Sequence, residues 1–171
     1  MNNIFNLKRT STIRLNRILL IAILSSLHAV PDETSLQRSD LIDNPQRKSA
    51  FTHQVHSALK YYRLPYSGDN TSFRKAETNN TVFRISLKSR RNNFEEVVIL
   101  GFSCVGKVMQ REMHKENKSN YVALIPSIVT IHCSIPVGRD DSQLTASTSS
   151  VVLRNFVDGT ITAREFWDEI T

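Results

Sequence analysis

Glu96-Val97-Val98-Ile99-Leu100-Gly101-Phe102 is the stretch on which the fold turns, and after a polar interval Tyr121–Ile135 (Y-V-A-L-I-P-S-I-V-T-I-H-C-S-I) follows as a second apolar run. Val and Ile dominate both. A branched Cβ packs well on a pleated surface, so both read as buried strands, the first from about Glu95 to Phe102. Just upstream, Val82–Lys88 alternates, with Phe83, Ile85 and Leu87 on one face and Arg84, Ser86 and Lys88 on the other. That is the pattern of a half-buried strand. Further outward, Phe51, Val55, Ala58, Leu59 and Tyr62 recur at i, i+4, i+7, i+8 and i+11, one stripe of a helix over Ser49–Arg63. Leu64-Pro65 ends it, because a residue before proline disfavours helical geometry. Tyr66–Asn80 reads as a turn-rich loop around Ser67-Gly68-Asp69-Asn70, anchored by Phe73.

Towards the C-terminus, Val108–Lys115 suits either a helix or a continuing strand, and Leu144–Val157 suits a helix weakened by its Ser and Thr residues. Thr162-Ala163-Arg164-Glu165 is a capping box ahead of Phe166, Trp167 and Ile170, the packing side of a short terminal helix. These elements predict an α+β domain: one N-terminal helix on a small antiparallel β-sheet, spanning 49–136, with a C-terminal extension over 137–171.

The first thirty residues have the parts of a secretory signal. Lys8, Arg9, Arg14 and Arg17 precede the apolar Ile18–Leu24, which fades through Ser25 and Ser26 to Ala29, with Pro31 beyond. Ile18–Val30 is thirteen residues, short of the roughly 20 that cross a bilayer. The reading is therefore a leader over 1–29, a polar linker over 30–48, secretion, and no stable membrane insertion after cleavage. The four basic residues of the leader account for most of the chain's net charge of +6, leaving +2 for the remainder. That remainder is uneven: 45–118 holds 14 basic and 6 acidic residues, and 119–171 holds 3 and 6. A basic middle between acidic ends suits either an anionic partner such as RNA or an ordinary solvated surface.

Cys104 and Cys133 are the two cysteines. In an oxidising compartment they suggest a disulfide worth roughly 3 kcal/mol, the alternative being two buried thiols. Neither stands at metal-ligand spacing from a histidine, because His132 beside Cys133 would point to the opposite face of a strand, so no metal and no cofactor are expected. Gly101-Phe102-Ser103-Cys104-Val105-Gly106-Lys107 has the G-x-x-x-x-G-K spacing of a phosphate-binding loop. Val108 stands where a Ser or Thr would hold Mg²⁺, which argues against nucleotide. Asp158–Phe166 copies the second half of a calcium loop, but Arg154 and Phe156 fall on the first and third ligand positions, so calcium is not expected. Asn70, Asn79 and Asn117 begin N-glycosylation triplets. Histidines 53, 56, 114 and 132 are scattered, and none joins a nucleophile or carboxylate cluster in the sequence.

Local matches to a family follow the order of elements. Val55-His56-Ser57-Ala58-Leu59 resembles the single helix of the small secreted fungal ribonucleases of the N1/T1 type, and Val82–Leu87 resembles their Tyr-Glu-aromatic-Pro strand. Glu95–Ile99 resembles their Asp-Arg-Val-Val strand, Gly106–Arg111 their Gly-x-Ile-Thr-His-Thr segment, and Ser119–Val122 their Asn-Asn-Phe-Val. The resemblance covers about residues 50–124 and implies a ribonuclease-like scaffold. Such an enzyme uses a glutamate base, an arginine and a histidine acid, and the matching positions here hold Arg84, Glu96 and Gln110, or Met109 in a register one residue earlier. Neither glutamine nor methionine can give and recover a proton, so the resemblance implies a catalytically dead relative, one in which Arg84 and Glu96 could still pair across strands.

The chain is similar in this respect to the dead ribonuclease-like effectors of powdery-mildew fungi, although Val30–Lys48 lacks the cysteine those proteins carry after the signal. The implied function is a secreted, non-catalytic virulence effector that engages a host protein or RNA, outside or inside host cells. For RNA, the candidate contacts are Arg74, Lys75, Arg84, Lys88, Arg90, Arg91 and Lys107 against phosphates, with Tyr61, Tyr62, Tyr66 or Phe73 stacking on bases. The competing reading is an enzyme with an unrecognised site.

Overall fold

The stretch expected as the second strand is a helix. The computed structural model describes residues 44–76, 80–117, 121–137 and 140–170, so the leader, most of the linker and Asn79 lie outside the described residues. Within them the order is α1 (Pro45–Tyr61), β1 (Tyr66–Lys75), β2 (Thr81–Lys88), α2 (Phe94–Glu116), β3 (Ile128–Val137), β4 (Asp140–Ser149), α3 (Ser150–Val157) and α4 (Ala163–Ile170).

The period of burial explains α2. Its buried positions are Val97, Val98, Gly101, Phe102, Cys104, Val105, Gly106, Val108, Met109 and Glu112, which cluster every three to four residues as one broad helical face requires. Over Glu96–Phe102 alone, a β-branched run hides that period, whereas 94–116 shows it. Glu95 and Glu96 in the first turn and His114 and Lys115 in the last complement the helix dipole. The ambiguous Val108–Lys115 is the second half of the same helix.

The strands form one sheet in the order β1-β2-β3-β4. β1 with β2 and β3 with β4 are antiparallel, but β2 and β3 are parallel, from Val82↔Ile128 to Lys88↔Ser134. A parallel pair needs a crossover, and α2 supplies it. The α+β class therefore holds with a mixed sheet in place of an antiparallel one. The expected loop after Pro65 is β1: its turn residues Gly68–Thr71 lie in an irregularity between Ser67↔Ser86 and Ser72↔Arg84, where four residues oppose Ile85 alone. The second apolar run is a strand only from Ile128. Leu144–Ser149, expected to be helical, completes β4, and Ser149 then caps α3 by accepting from the Val152 amide.

All four described helices share the core on one face of the sheet. Phe51, Val55 and Leu59 of α1, α2, Leu153 of α3 and Phe166 and Ile170 of α4 join Phe83, Ile85, Leu87, Val129, Ile131 and Cys133. Phe51 meets Phe73 and Phe83 edge-on, and Phe102 meets Phe166. The alternation read in Val82–Lys88 is as expected, and so is the capping box. The Thr162 amide donates to Glu165 Oε2 at 2.7 Å, and the Glu165 amide donates to Thr162 Oγ1 at 3.2 Å.

Two expectations fall with the second strand. Cys104 and Cys133 are free and buried, not bridged, one on a helix and the other on a strand. Burial pushes the Cys104 thiol up to about 11 against the pull of Lys107, and raises that of Cys133, so both are poor nucleophiles. Arg84 cannot pair with Glu96, because Arg84 lies on the face of the sheet that no described helix covers, called the helix-free face below, and Glu96 is exposed on α2, which covers the other. Glu95–Ile99 and Gly106–Arg111, two segments that carry the ribonuclease resemblance, are parts of this one helix.

Candidate nucleic-acid interface

The sequence from Asn44 to Gly68 contains no acidic residue, while Arg47, Lys48, Lys60 and Arg63 supply four cations. Helical spacing places Gln54, Ser57, Ala58 and Tyr61 of α1 on one stripe, and Lys107, Val108 and Arg111 of α2 on another. These residues and Tyr62 line a groove of about 480 Å³ between the helices. Its lining includes Ala58 and Val108, its rims are tyrosine, lysine and arginine, and among the described residues no carboxylate lines it.

The end of α1 sets the rim. The Leu64 amide donates to the Leu59 carbonyl at 2.9 Å and the Arg63 amide to the Lys60 carbonyl at 3.0 Å. Those two bonds are the Schellman arrangement, which requires a left-handed residue just past the cap and usually takes glycine there. Here that residue is Arg63, at φ 54°, a conformation that costs a non-glycine residue about 1–2 kcal/mol. Leu64 turns inward to the core beside Leu59, leaving Tyr61, Tyr62 and Arg63 on the outside. Tyr61 is 81% exposed and Tyr62 37%, their rings edge-to-face with centroids 5.1 Å apart. Lys107 Nζ donates to Tyr62 Oη at 2.6 Å and lies 4.9 Å from that ring's centroid. The groove thus pairs an exposed aromatic with one pre-oriented by a cation, the combination that stacks bases and neutralises phosphates.

The basic residues singled out in the sequence do not form one site. Lys107 alone stands in the groove. Arg74, Arg84 and Lys88 lie on the helix-free face of the sheet, Lys75 at its edge strand, and Arg90 and Arg91 in the turn between β2 and α2. Tyr66 packs towards the core with His56, ring centroids 4.5 Å apart, and Phe73 is part of the aromatic cluster around Phe51. Neither offers a stacking face. No family model, curated protein or solved structure matches this chain.

Lys60, Arg63 and Arg111 were not singled out by the sequence reading. The run Lys60-Tyr61-Tyr62-Arg63 at the end of an acid-free helix carries a signal for the first two. Arg111 becomes legible only once Val108–Lys115 is known to be helical.

The phosphate-loop spacing has a packing explanation. Gly101 and Gly106 lie inside α2, where the helix ladder takes up the backbone amides that would otherwise cradle a phosphate. A Cβ at Gly101 would meet Leu87 Cδ1 at 2.6 Å and Ile131 Cδ1 at 2.9 Å, so this glycine lets the helix approach the sheet. The calcium-like segment is the turn between α3 and α4, with Gly159 at φ 78°.

Proposed function

We propose that this chain is a non-catalytic interaction protein whose contact surface is the α1–α2 groove, with single-stranded RNA as the partner its chemistry fits best. The observation that carries the reading is Tyr61, 81% exposed at the rim of a groove that holds cations and, among the described residues, no carboxylate. An aromatic ring left in water beside Lys107 and Arg111 lowers no folding free energy by burial, but offers a stacking face to an unpaired base. The strain at Arg63 supports the same reading, since a cation is kept where glycine would relieve the backbone. Export rests on the leader-like residues 1–29, and a role as an effector in a host rests on the ribonuclease-effector resemblance. In that setting the groove would be the surface presented to host RNA.

The test is the anisotropy of a labelled single-stranded RNA titrated with the protein at low and moderate salt, with the RNA's final length read on a gel. Binding is expected to weaken with salt. The slope of log K against log salt should be about −2 to −3, as neutralisation of four phosphates by Lys60, Arg63, Lys107 and Arg111 implies. Tyr61→Ala is expected to lose about 1–3 kcal/mol of binding without changing the melting temperature. Intact RNA that does not bind would count against RNA and leave a protein as the partner. Shortened RNA would show an enzyme.

Arg63→Gly should separate stability from binding. Removing the strain is expected to raise stability by about 0.5–1 kcal/mol, while the lost cation weakens RNA binding and flattens the salt slope by about 0.7. A thermal melt and the same titration read the two signs. A fall in both would mean that Arg63 holds the cap together.

A further inference from the structure

The helix-free face of the sheet carries a second arrangement. Alternation puts Ser67, Ser72 and Arg74 of β1, Arg84, Ser86 and Lys88 of β2, Thr130, His132 and Ser134 of β3, and Gln143 and Thr145 of β4 on this face. The irregular Gly68–Thr71 segment borders it, and two adjoining hollows of about 330 and 300 Å³ share Asn70, Ser86, His132 and Gln143. One hollow adds Arg74, Arg84, Ser72 and Asp69. The other adds Ser67, Leu87, Lys88 and Ser134.

Arg84 is the informative residue. Its Nε is shielded from solvent and has no hydrogen-bond partner. Among the described residues neither Arg84 nor Arg74 is in an ion pair, although Asp69 borders the same hollow. A shielded guanidinium nitrogen without an acceptor is costly, and a second arginine on the neighbouring strand adds like-charge repulsion. An oxyanion between them would remove both penalties, and two guanidinium groups suit a tetrahedral oxyanion. His132 faces the same space with its Nδ1 bonded to Thr145 Oγ1 at 2.9 Å, leaving Nε2 for a ligand. Apart from Leu87 and the shared His132, the second hollow is lined by hydroxyl, amide and lysine groups, with no Phe, Tyr or Trp among the described residues, which suits a polyhydroxylated body better than a stacked base.

We propose that this cleft binds a sugar phosphate, the phosphate between Arg74, Arg84 and His132 and the sugar hydroxyls against Ser67, Ser86, Ser134 and Gln143. The site is independent of the α1–α2 groove.

The test is a ¹H–¹⁵N NMR titration of the full chain with ribose 5-phosphate, with ribose and inorganic phosphate in parallel. The sugar phosphate is expected to shift the amides of Arg84, Ser86 and His132 and not those of Tyr61 or Arg111. Its affinity should exceed that of inorganic phosphate by at least about tenfold, and ribose should give no saturable shift. Arg84→Gln should abolish binding, and the exposed Arg74→Gln should weaken it about tenfold even if the first variant is poorly folded. Equal affinity for the ester and inorganic phosphate would overturn the sugar part of the proposal. Absence of shifts on the sheet, or shifts unchanged in the Arg74→Gln variant, would overturn the site.

Discussion

Glu112→Ala is expected to lower the stability of the fold by about 2–4 kcal/mol, a fall in melting temperature of about 5–15 °C for a domain of this size. Glu112 is 3% exposed near the end of α2. Burial disfavours its charge, but the Lys115 ammonium at 2.7 Å, the Tyr121 hydroxyl and the Leu124 amide outweigh that and hold its carboxyl below the usual range. Tyr121 in turn lies under the Arg47 guanidinium at 4.6 Å, and Arg47 donates to the Val122 carbonyl. One carboxylate therefore ties the segment between α2 and β3 to its own helix, and through Tyr121 to the start of α1. Truncation would leave the Tyr121 hydroxyl and the Leu124 amide without an acceptor and open a cavity.

The pH dependence has a definite sign. A carboxyl whose folded pKa is depressed contributes its stability above the unfolded value, near 4.5, and loses it as pH falls through the folded value. The gap in melting temperature between the native chain and Glu112→Gln should therefore be full at pH 7 and close progressively below about pH 4.5. A gap that does not narrow between pH 7 and pH 3, or an alanine variant that melts within a degree or two of the native chain, would remove Glu112 from this role.

That cluster also shows what the sequence could and could not disclose. A lone glutamate on an otherwise apolar helical face is a legible oddity only if the segment is known to be a helix, and Val97-Val98-Ile99-Leu100 argued locally for a strand. Propensity is a weak guide where tertiary packing decides, and a seven-residue window holds under two helical turns, too few for the period to speak. Once α2 is misplaced, the crossover disappears, the parallel β2–β3 pair cannot be foreseen, and the cysteines are set on neighbouring strands. By contrast, β2 was legible because its alternation is clean over seven residues. The helix α1 was legible because its stripe runs three turns, although its start at Asn44-Pro45 lies inside the expected linker. The terminal capping box was legible because its chemistry is local.

The site was legible by halves. Lys107, Tyr61 and Tyr62 were candidates from composition, but their meeting across two helices depends on Lys107 being helical. The grouping of Arg74, Arg84 and Lys88 with Lys107 failed because sequence distance says nothing about which face of the sheet a cation occupies. Tyr66 was placed as a stacking partner, whereas its register opposite Leu87 turns it to the core side.

Gly106 offers the second large effect, and it discriminates between the two readings of the glycine pair. A Cβ built there lies 2.3 Å from Val157 Cγ2 and 3.4 Å from Leu153 Cδ1. Val157 is β-branched and helical, so its side chain has essentially one rotamer and cannot swing aside. Gly106→Ala gains about 1 kcal/mol of helix propensity but must push α3 off α2, and overpacking of this kind costs about 1–3 kcal/mol. A net loss of up to about 2 kcal/mol is expected, and Gly106→Val, with two further methyls, should lose about 3 kcal/mol or more.

Gly101→Ala is the internal control. Its obstacles are the Cδ1 ends of Leu87 and Ile131, which can rotate, so it should lose less than Gly106→Ala. Urea melts of the three variants read the order directly. If Gly106→Ala were more stable than the native chain, the interior glycine would not be a packing residue, and the spacing it shares with phosphate-binding loops would need another explanation. If the expected order holds, Gly101 and Gly106 are the two places where α2 comes close enough to its neighbours to exclude a side chain, one against the sheet and the other against α3. The Lys107–Arg111 edge of the same helix is left free to face α1.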